Sequence, residues 1–109
     1  MPDLDLSAED LALVRAILGC HVPERDVWAF GSRVRGNAKK FSDLDLAILG
    51  EVPLSPDVQA ALAEEFDEPD LAIKVDLLDW ATTAEAFREI IRREHRTIQT
   101  GRRATTERP

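Results

Sequence analysis

GSRVRGNAKKFSDLDL, residues 31–46, is the stretch that decides the fold. It follows the apolar run VWAF at residues 27–30 and leads into the apolar run LAIL at residues 46–49. A Gly-Ser pair directly after a strand-like run is typical of a strand that turns into a loop or a helix. Small residues and backbone N–H groups at such a turn can approach phosphate oxygens closely. We therefore expect Gly31 and Ser32 to form a phosphate-binding turn.

Two acidic residues stand at the end of the same stretch. Ten residues separate Ser32 from Asp43, and Asp45 follows two positions after Asp43, at the start of the second strand-like run. Side chains alternate between the faces of a strand, so Asp43 and Asp45 point the same way, with Cα atoms about 6.5–7 Å apart. Both carboxylates can then share metal ions. A phosphate-binding turn beside a carboxylate pair suits metal-assisted chemistry on a nucleoside triphosphate.

With these residues the chain resembles the nucleotidyltransferase (polymerase-beta-like) superfamily, whose signature is Gly-Ser, a ten-residue gap and Asp-x-Asp. The full string is similar to the minimal nucleotidyltransferases, the MNT proteins that are paired with HEPN toxins in prokaryotic toxin–antitoxin modules. The similarity is specific over residues 31–46, and agreement in order and length extends it over roughly residues 7–98. The resemblance implies an α/β fold, with a small mixed β-sheet flanked by about four helices.

A third acid is expected in a later strand, predicted over residues 71–78. Ile73, Val75 and Leu77 share one face of that strand, which leaves Asp76 on the other face among apolar neighbours. Aspartate is disfavoured in a central strand and is rarely buried without a partner or a metal. Asp79 falls on the opposite face near the strand end, so the pattern favours Asp76 as the third acid.

The resemblance assigns a role to each of these residues. It implies that Asp43, Asp45 and Asp76 are catalytic and hold Mg²⁺, two ions being expected, and that Asp76 accepts the proton of the nucleophile. Gly31 and Ser32 would bind the β- and γ-phosphates of ATP, the expected substrate. Two arginines, Arg33 and Arg35, are candidates for the charge that stabilises the leaving pyrophosphate; Arg33 is nearer the turn, and the choice stays open. Ser42 would support Asp43 by a hydrogen bond.

Helix signals frame these strands. Ser7 is expected to cap a first helix that stops at Gly19, and Ser55 with Pro56 to open another helix over residues 55–66. A last helix, capped by Thr82 or Thr83, is expected to run through Ile98. Its outward side is rich in arginine: Arg88, Arg92, Arg93 and Arg96. We expect one nucleotidyltransferase domain over residues 1–99 and a flexible polar tail over residues 100–109.

Charge and composition narrow the function. Residues 1–79 carry 7 Lys/Arg against 17 Asp/Glu, a net charge of −10, whereas residues 80–109 carry 7 Arg against 4 Glu, a net of +3. The acidic body argues against general nucleic-acid binding, while the basic end is a candidate contact surface for a partner chain or a polyanion. No apolar run reaches the roughly 20 residues that span a bilayer, and no signal peptide is evident. The single cysteine, Cys20, fits a reducing compartment, so a cytoplasmic location is expected.

Little chain remains outside the domain, so the acceptor of the nucleotide is expected to be presented by another macromolecule. The resemblance implies a HEPN ribonuclease toxin, AMPylated on tyrosine and thereby neutralised, with contact through the arginine-rich last helix. The chain has no tyrosine, which excludes modification of its own tyrosine. Two alternatives stay open: nucleotidyl transfer to a small hydroxyl compound, as in antibiotic-modifying relatives, and a non-catalytic antitoxin that acts by contact.

Overall fold

The computed structural model describes residues 6–35 and 43–102. Within these residues, four strands form one mixed sheet in the order β3-β2-β1-β4. They are β1 (Val27–Phe30), β2 (Leu44–Ile48), β3 (Val75–Asp79) and β4 (Arg96–Gln99). β1 is antiparallel to both of its neighbours, and β2 is parallel to β3. The predicted α/β fold with a small mixed sheet is confirmed.

The described part of the chain contains four α-helices and one 3₁₀ turn. They are α1 (Ala8–His21), α2 (Ser32–Arg35), α3 (Pro56–Phe66), the 3₁₀ turn (Trp80–Thr82) and α4 (Glu85–Arg93). The Ser7 hydroxyl accepts a hydrogen bond from the N–H of Asp10, and the Ser55 hydroxyl accepts one from the N–H of Val58. Both predicted caps are therefore confirmed, because Ser satisfies N–H groups that the first helical turn leaves without a partner.

The hydrophobic core lies on one face of the sheet, under α1 and α3. Leu44, Leu46 and Ile48 alternate toward that face along β2 and are fully buried against Leu18 of α1 and Leu62 of α3. The alternation sends Asp45, between Leu44 and Leu46, to the opposite face. Burying apolar surface at about 25 cal/mol per Å² is the main source of stability, so the core fixes which face carries the acid.

α4 and the turn before it cover part of the second face. Phe30 of β1 meets Phe87 of α4 edge to face, with ring centroids 5.8 Å apart. Trp28 stacks on His95 at 3.7 Å and meets Trp80 edge to face at 5.5 Å. This aromatic layer anchors α4 and leaves the β2–β3 side of the face open.

The prediction of a last helix running through Ile98 was wrong. α4 ends at Arg93, and β4 pairs with β1, which buries Ile98 to 4% exposure. Ile98 lies seven residues after Ile91, which is the spacing of two helical turns. A strand that buries Ile98 alone is equally compatible with this pattern. The predicted caps Thr82 and Thr83 were wrong as well: both hydroxyls donate to the carbonyl of Asp79. Gly19, the predicted stop, lies inside α1.

Two further expectations need correction or completion. The third strand begins at Val75 rather than at residue 71, and β3 is an edge strand rather than a central one. At the start of the predicted tail, the N–H of Gly101 donates to Asp26 and that of Arg102 to the carbonyl of Pro23. Residues 103–109 lie outside the described residues. Of the helices that the structure describes, none has the length and apolar character needed to cross a membrane.

Candidate active site

The parallel pairing of β2 with β3 brings two of the predicted acids side by side. Asp45 and Asp76 are Cα partners in this register, so they sit on adjacent strands, about 4.7–4.9 Å apart in a sheet, and on the same face. Asp43 lies one residue before β2, and alternation places it on the side of Asp45. The N–H of Leu44 donates to the carbonyl of Lys74 at 2.8 Å, which carries the strand pairing up to Asp43.

Asp76 is exposed, because β3 is an edge strand. The sequence argument for Asp76, that a carboxylate in a central strand needs a partner or a metal, therefore does not apply. The register with Asp45 is a different and stronger reason to place Asp76 in the site. Asp79 has a structural role instead: its carboxylate accepts hydrogen bonds from the N–H of Leu54 at 2.9 Å and of Ala81 at 3.2 Å.

Gly31 brings the turn after β1 against the acid pair. Its φ is +86°, in the left-handed region that favours glycine, and a Cβ built on it would collide with the carboxylate of Asp45. Only hydrogen fits between this backbone and Asp45. The close approach leaves the backbone accessible beside the acids, as a phosphate-binding turn requires.

The remaining predicted binding residues are placed less completely. Ser32 begins α2 and is half-buried next to Gly31. Arg33 is buried, with 7% of its surface exposed, which gives its guanidinium little access to a ligand in this conformation. The side chain of Arg35 and the whole of Ser42 lie outside the described residues, so both assignments stay predictions.

Two clefts open on either side of the Phe30–Phe87 pair, and Asp45 lines both. The Asp76-side cleft, of about 310 Å³, is bounded by Phe30, Phe87 and the strand residues Asp45, Asp76, Leu77 and Leu78. The glycine-side cleft, of about 240 Å³, is lined by Phe30, Gly31, Asp45, Phe87, Ile90, Ile91 and Glu94. Asp45 thus stands where the two clefts meet, and Asp76 lines one of them.

The donor set fits Mg²⁺ in the company of a nucleotide. Within residues 6–35 and 43–102, no three His, Cys, Asp or Glu side chains are placed so that they could hold a metal ion together, so the structure does not assemble Asp43, Asp45 and Asp76 into a three-carboxylate cluster. Mg²⁺ does not require one, since it is commonly held by one or two carboxylates together with substrate phosphates and water. Paired carboxylates beside a glycine turn supply the protein's share of such a site.

Sequence reasoning missed the residues of α4 that line the clefts. Phe87 and Ile91, with Ile90 beside them, recur at the helical spacing of an apolar stripe, yet Phe87 is 39% and Ile90 61% exposed. Helical spacing indicates an apolar side of α4 but not that the helix stops short of covering it. Glu94 had no signal at all, because its place at the cleft depends on the end of α4 and the start of β4.

The arginines of α4 are engaged by glutamates of the same helix. Arg92 binds Glu85 at 2.7 Å and Glu89 at 3.1 Å, and Arg93 lies 3.5 Å from Glu89. The hydrogen bond from Arg92, with its charge, lowers the pKa of Glu85 below the ordinary value. Arg88 donates to the carbonyl of Trp80. The outward side of α4 is thus a mixed-charge surface rather than a uniformly basic one.

A mixed sheet that carries paired carboxylates beside a glycine turn defines a metal-assisted phosphoryl- or nucleotidyl-transfer enzyme. Residues 23–102 match the family model described as "Polymerase beta, Nucleotidyltransferase". The chain therefore belongs to the polymerase beta nucleotidyltransferase family, and the predicted family and enzyme class are confirmed.

Individual relatives agree with that membership. The chain is 56% identical over 106 residues to the probable protein adenylyltransferase MntA of Haemophilus influenzae, covering 97% of this chain and 92% of that protein. Its fold is similar to a chain of a toxin–antitoxin crystal structure with AMP-PNP, with a TM-score of 0.70, 20% identity, and coverage of 84% of this chain and 74% of that chain.

A second solved structure has the same fold. It is a complex of tri-AMPylated Shewanella oneidensis HEPN toxin with MNT antitoxin, matched with a TM-score of 0.64, 18% identity, and coverage of 84% of this chain and 71% of that chain. At such low identities these structures support the fold alone. The near-full-length relationship to the adenylyltransferase is the one that bears on activity.

Proposed function

We propose that this chain is a protein adenylyltransferase that transfers AMP from ATP to a HEPN-type toxin and so acts as its antitoxin. The observation that carries the transfer reaction is the register that pairs Asp45 with Asp76 beside Gly31. The choice of a protein acceptor rests on the relative that is 56% identical over nearly the whole chain and named a protein adenylyltransferase. The partner is proposed by analogy with the solved complex of MNT antitoxin and AMPylated HEPN toxin, whose antitoxin shares the fold of this chain.

In the proposed reaction the acceptor oxygen forms a bond to the α-phosphorus of ATP while the bond from that phosphorus to the β-phosphate oxygen breaks. The products are an AMP ester and pyrophosphate. Asp43 and Asp45, with Asp76, would hold two Mg²⁺ ions, which when bound supply positive charge against the developing negative charge on the phosphoryl oxygens. Asp76, exposed at the sheet edge, accepts the proton of the attacking hydroxyl.

The turn after β1 positions the nucleotide. Gly31 and Ser32 bind the β- and γ-phosphates through backbone N–H groups and the serine hydroxyl, which sets the α-phosphorus over Asp45. Arg33 or Arg35 would balance charge on the pyrophosphate, and Ser42 would steady Asp43. Orientation of this kind accounts for a large share of rate enhancement, because both reactants lose their freedom on binding rather than during the reaction.

The acceptor hydroxyl belongs to the partner, and we place the contact along α4. Its arginines already bind Glu85 and Glu89, so a partner with mixed charges can exchange these ion pairs without leaving a charge unsatisfied. Such pairs are weak at an exposed surface and are easily rearranged. A cytoplasmic location, where ATP is available and Cys20 stays reduced, completes the proposal.

The test is transfer to the purified toxin with ATP and Mg²⁺. Intact-mass spectrometry counts added AMP, and a ribonuclease assay measures neutralisation. Asp45→Asn and Asp76→Asn should each lower transfer by about 100-fold or more, the scale of losing a metal ligand or a general base. The matched control is Asp57→Asn, at an exposed position in the first turn of α3, which should leave transfer unchanged.

The results of this test distinguish the proposed function from the two alternatives. If Asp45→Asn neutralises the toxin as well as the unmodified chain does and no AMP mass appears, the protein is a contact antitoxin and the enzymatic proposal fails. If AMP is transferred to a small hydroxyl compound and not to the toxin, the reaction stands but the protein acceptor is wrong.

A further inference from the structure

The glycine-side cleft contains features that phosphate binding does not require. Phe87 and Ile90 are the apolar residues of α4 that line it with Ile91, and Ile90 is 61% exposed. Gly31 and Asp45 form the opposite wall, and Glu94 stands at the helix end of the cleft. An exposed apolar wall that continues directly into a phosphate turn suits a ligand with an apolar part joined to phosphates.

We propose that the glycine-side cleft holds the base of the nucleotide, against Phe87 and Ile90. The inference rests on the proposed function, which puts the phosphates at Gly31 and the α-phosphorus at Asp45. Both residues line this cleft, so a nucleoside attached to that α-phosphorus has open space here. The Asp76-side cleft is left for the acceptor, because Asp76 must reach the attacking hydroxyl. The Phe30–Phe87 pair separates the two substrates.

The chemistry of the walls favours a base over other ligands. Nucleobases bind to proteins by stacking on aromatic or apolar side chains and by hydrogen bonds along their polar edge. The Glu94 carboxylate disfavours a phosphate at that end of the cleft and accepts a hydrogen bond from an amino group. Adenine carries an amino group on its six-membered ring, so Glu94 selects an amino-bearing base over the same ring without that group.

The first experiment measures binding without chemistry. Calorimetry compares the unmodified chain, Ile90→Ser and the control Val52→Ser, which alters another exposed apolar residue, 67% exposed, in a different cleft. The probes are a non-hydrolysable ATP analogue and inorganic tripolyphosphate, each with Mg²⁺. Ile90→Ser should weaken binding of the analogue by about tenfold, the scale of losing the apolar contact of one partly buried aliphatic side chain, and leave binding of tripolyphosphate unchanged. Val52→Ser should change neither.

The second experiment tests the polar edge. Transfer to the toxin is compared for ATP and for purine riboside triphosphate, which lacks the amino group. The unmodified chain should prefer ATP by about tenfold in kcat/KM, on the scale of one hydrogen bond to a charged group. Glu94→Ala should bring that ratio close to one. If Glu94→Ala leaves the ratio of kcat/KM for the two nucleotides unchanged, Glu94 is not the hydrogen-bond acceptor for the amino group of adenine.

The remaining outcomes distinguish a failure of this inference from a failure of the proposed function. If the unmodified chain transfers AMP but Ile90→Ser binds the ATP analogue normally and loses affinity for the toxin instead, the cleft holds the partner, and only the inference fails. If the unmodified chain binds tripolyphosphate as tightly as the analogue, the base makes no contact and the inference fails again. If the unmodified chain binds neither the ATP analogue nor tripolyphosphate, the proposed function and this inference both fail.

Discussion

Replacing Gly31 by alanine should damage the active site far more than it damages the fold. At φ +86° an alanine costs about 1–3 kcal/mol in backbone strain. For a chain of this size that is a fall in Tm of roughly 4 °C or more per kcal/mol. The new Cβ also collides with the Asp45 carboxylate, which must move. A displacement of about 1 Å in a reacting assembly costs on the order of 100-fold in rate.

Gly50→Ala provides a matched control. Gly50 also has a positive φ, +155°, and its Cβ would collide with a side chain, that of Arg25, in a cleft away from the acids. Arg25 would lose its hydrogen bonds to the carbonyls of Leu49 and Val52. Both variants are compared by thermal unfolding and by AMP transfer at a temperature where each is folded. Equal loss of activity in the two would refute the view that close approach of the turn to Asp45 matters for transfer.

Three other perturbations have defined outcomes. Gly19→Ala should stabilise the chain by about 0.5–1 kcal/mol in denaturant unfolding, because Gly19 lies within α1 and a Cβ there meets its nearest atom at 3.8 Å; a loss of stability would contradict the helical assignment. Asp79→Ala leaves two backbone N–H groups without an acceptor and should cost about 1–3 kcal/mol, with transfer by the folded fraction retained; lost transfer at full folding would make Asp79 part of the site. The pKa of Glu85 is lowered by Arg92, so its contribution to stability is present at neutral pH and is lost as the pH falls through that lowered pKa. The Tm difference between the unmodified chain and Glu85→Gln should therefore narrow in acid, and a constant difference would exclude the ion pair as its cause.

Local signals in the sequence were sufficient for the first half of the fold. Ser7, Ser55 and Pro56 mark helix starts by interactions within one turn, and the structure has helices beginning at those places. Residues 27–30 and 44–48 are strands, as the short apolar runs beside the Gly-Ser turn and the Asp-x-Asp pair indicate. Each of these features depends on residues that are close in sequence, so each can be predicted without knowledge of the tertiary structure.

Long-range pairing is what the sequence could not supply. Residues 96–99 satisfy both a helical and a strand pattern, and their partner in β1 lies about seventy residues earlier. Strand order is likewise a property of the whole sheet, which is why Asp76 was expected in a central strand and lies in an edge strand. The sequence favoured Asp76 over Asp79 by the alternation of strand faces and by the expectation of a central strand. The hydrogen bonds of Asp79 and the register of Asp76 with Asp45 give the physical basis of that choice.

The residues of the candidate site also fall into those that the sequence predicted locally and those that only the tertiary structure brings to it. Gly31, Asp43 and Asp45 were predicted from one continuous stretch, since a turn and the following strand fix their relation. Phe87, Ile90 and Glu94 reach the acids through the packing of α4 across the second face of the sheet. No spacing in the sequence indicates that packing, so the clefts could not be anticipated.

The pairing of β4 with β1 also sets the order of events during synthesis. A nascent chain that has emerged from the ribosome only as far as α4 already contains Gly31 and all three acids, but the free edge of β1 has no neighbour. Gln99, whose amide donates to the carbonyls of Val22 and Arg25, is missing from it as well. The strand that completes the sheet beside β1 is therefore made after Gly31, Asp43, Asp45 and Asp76, so the sheet around the candidate site stays unfinished until residues 96–99 have been synthesised.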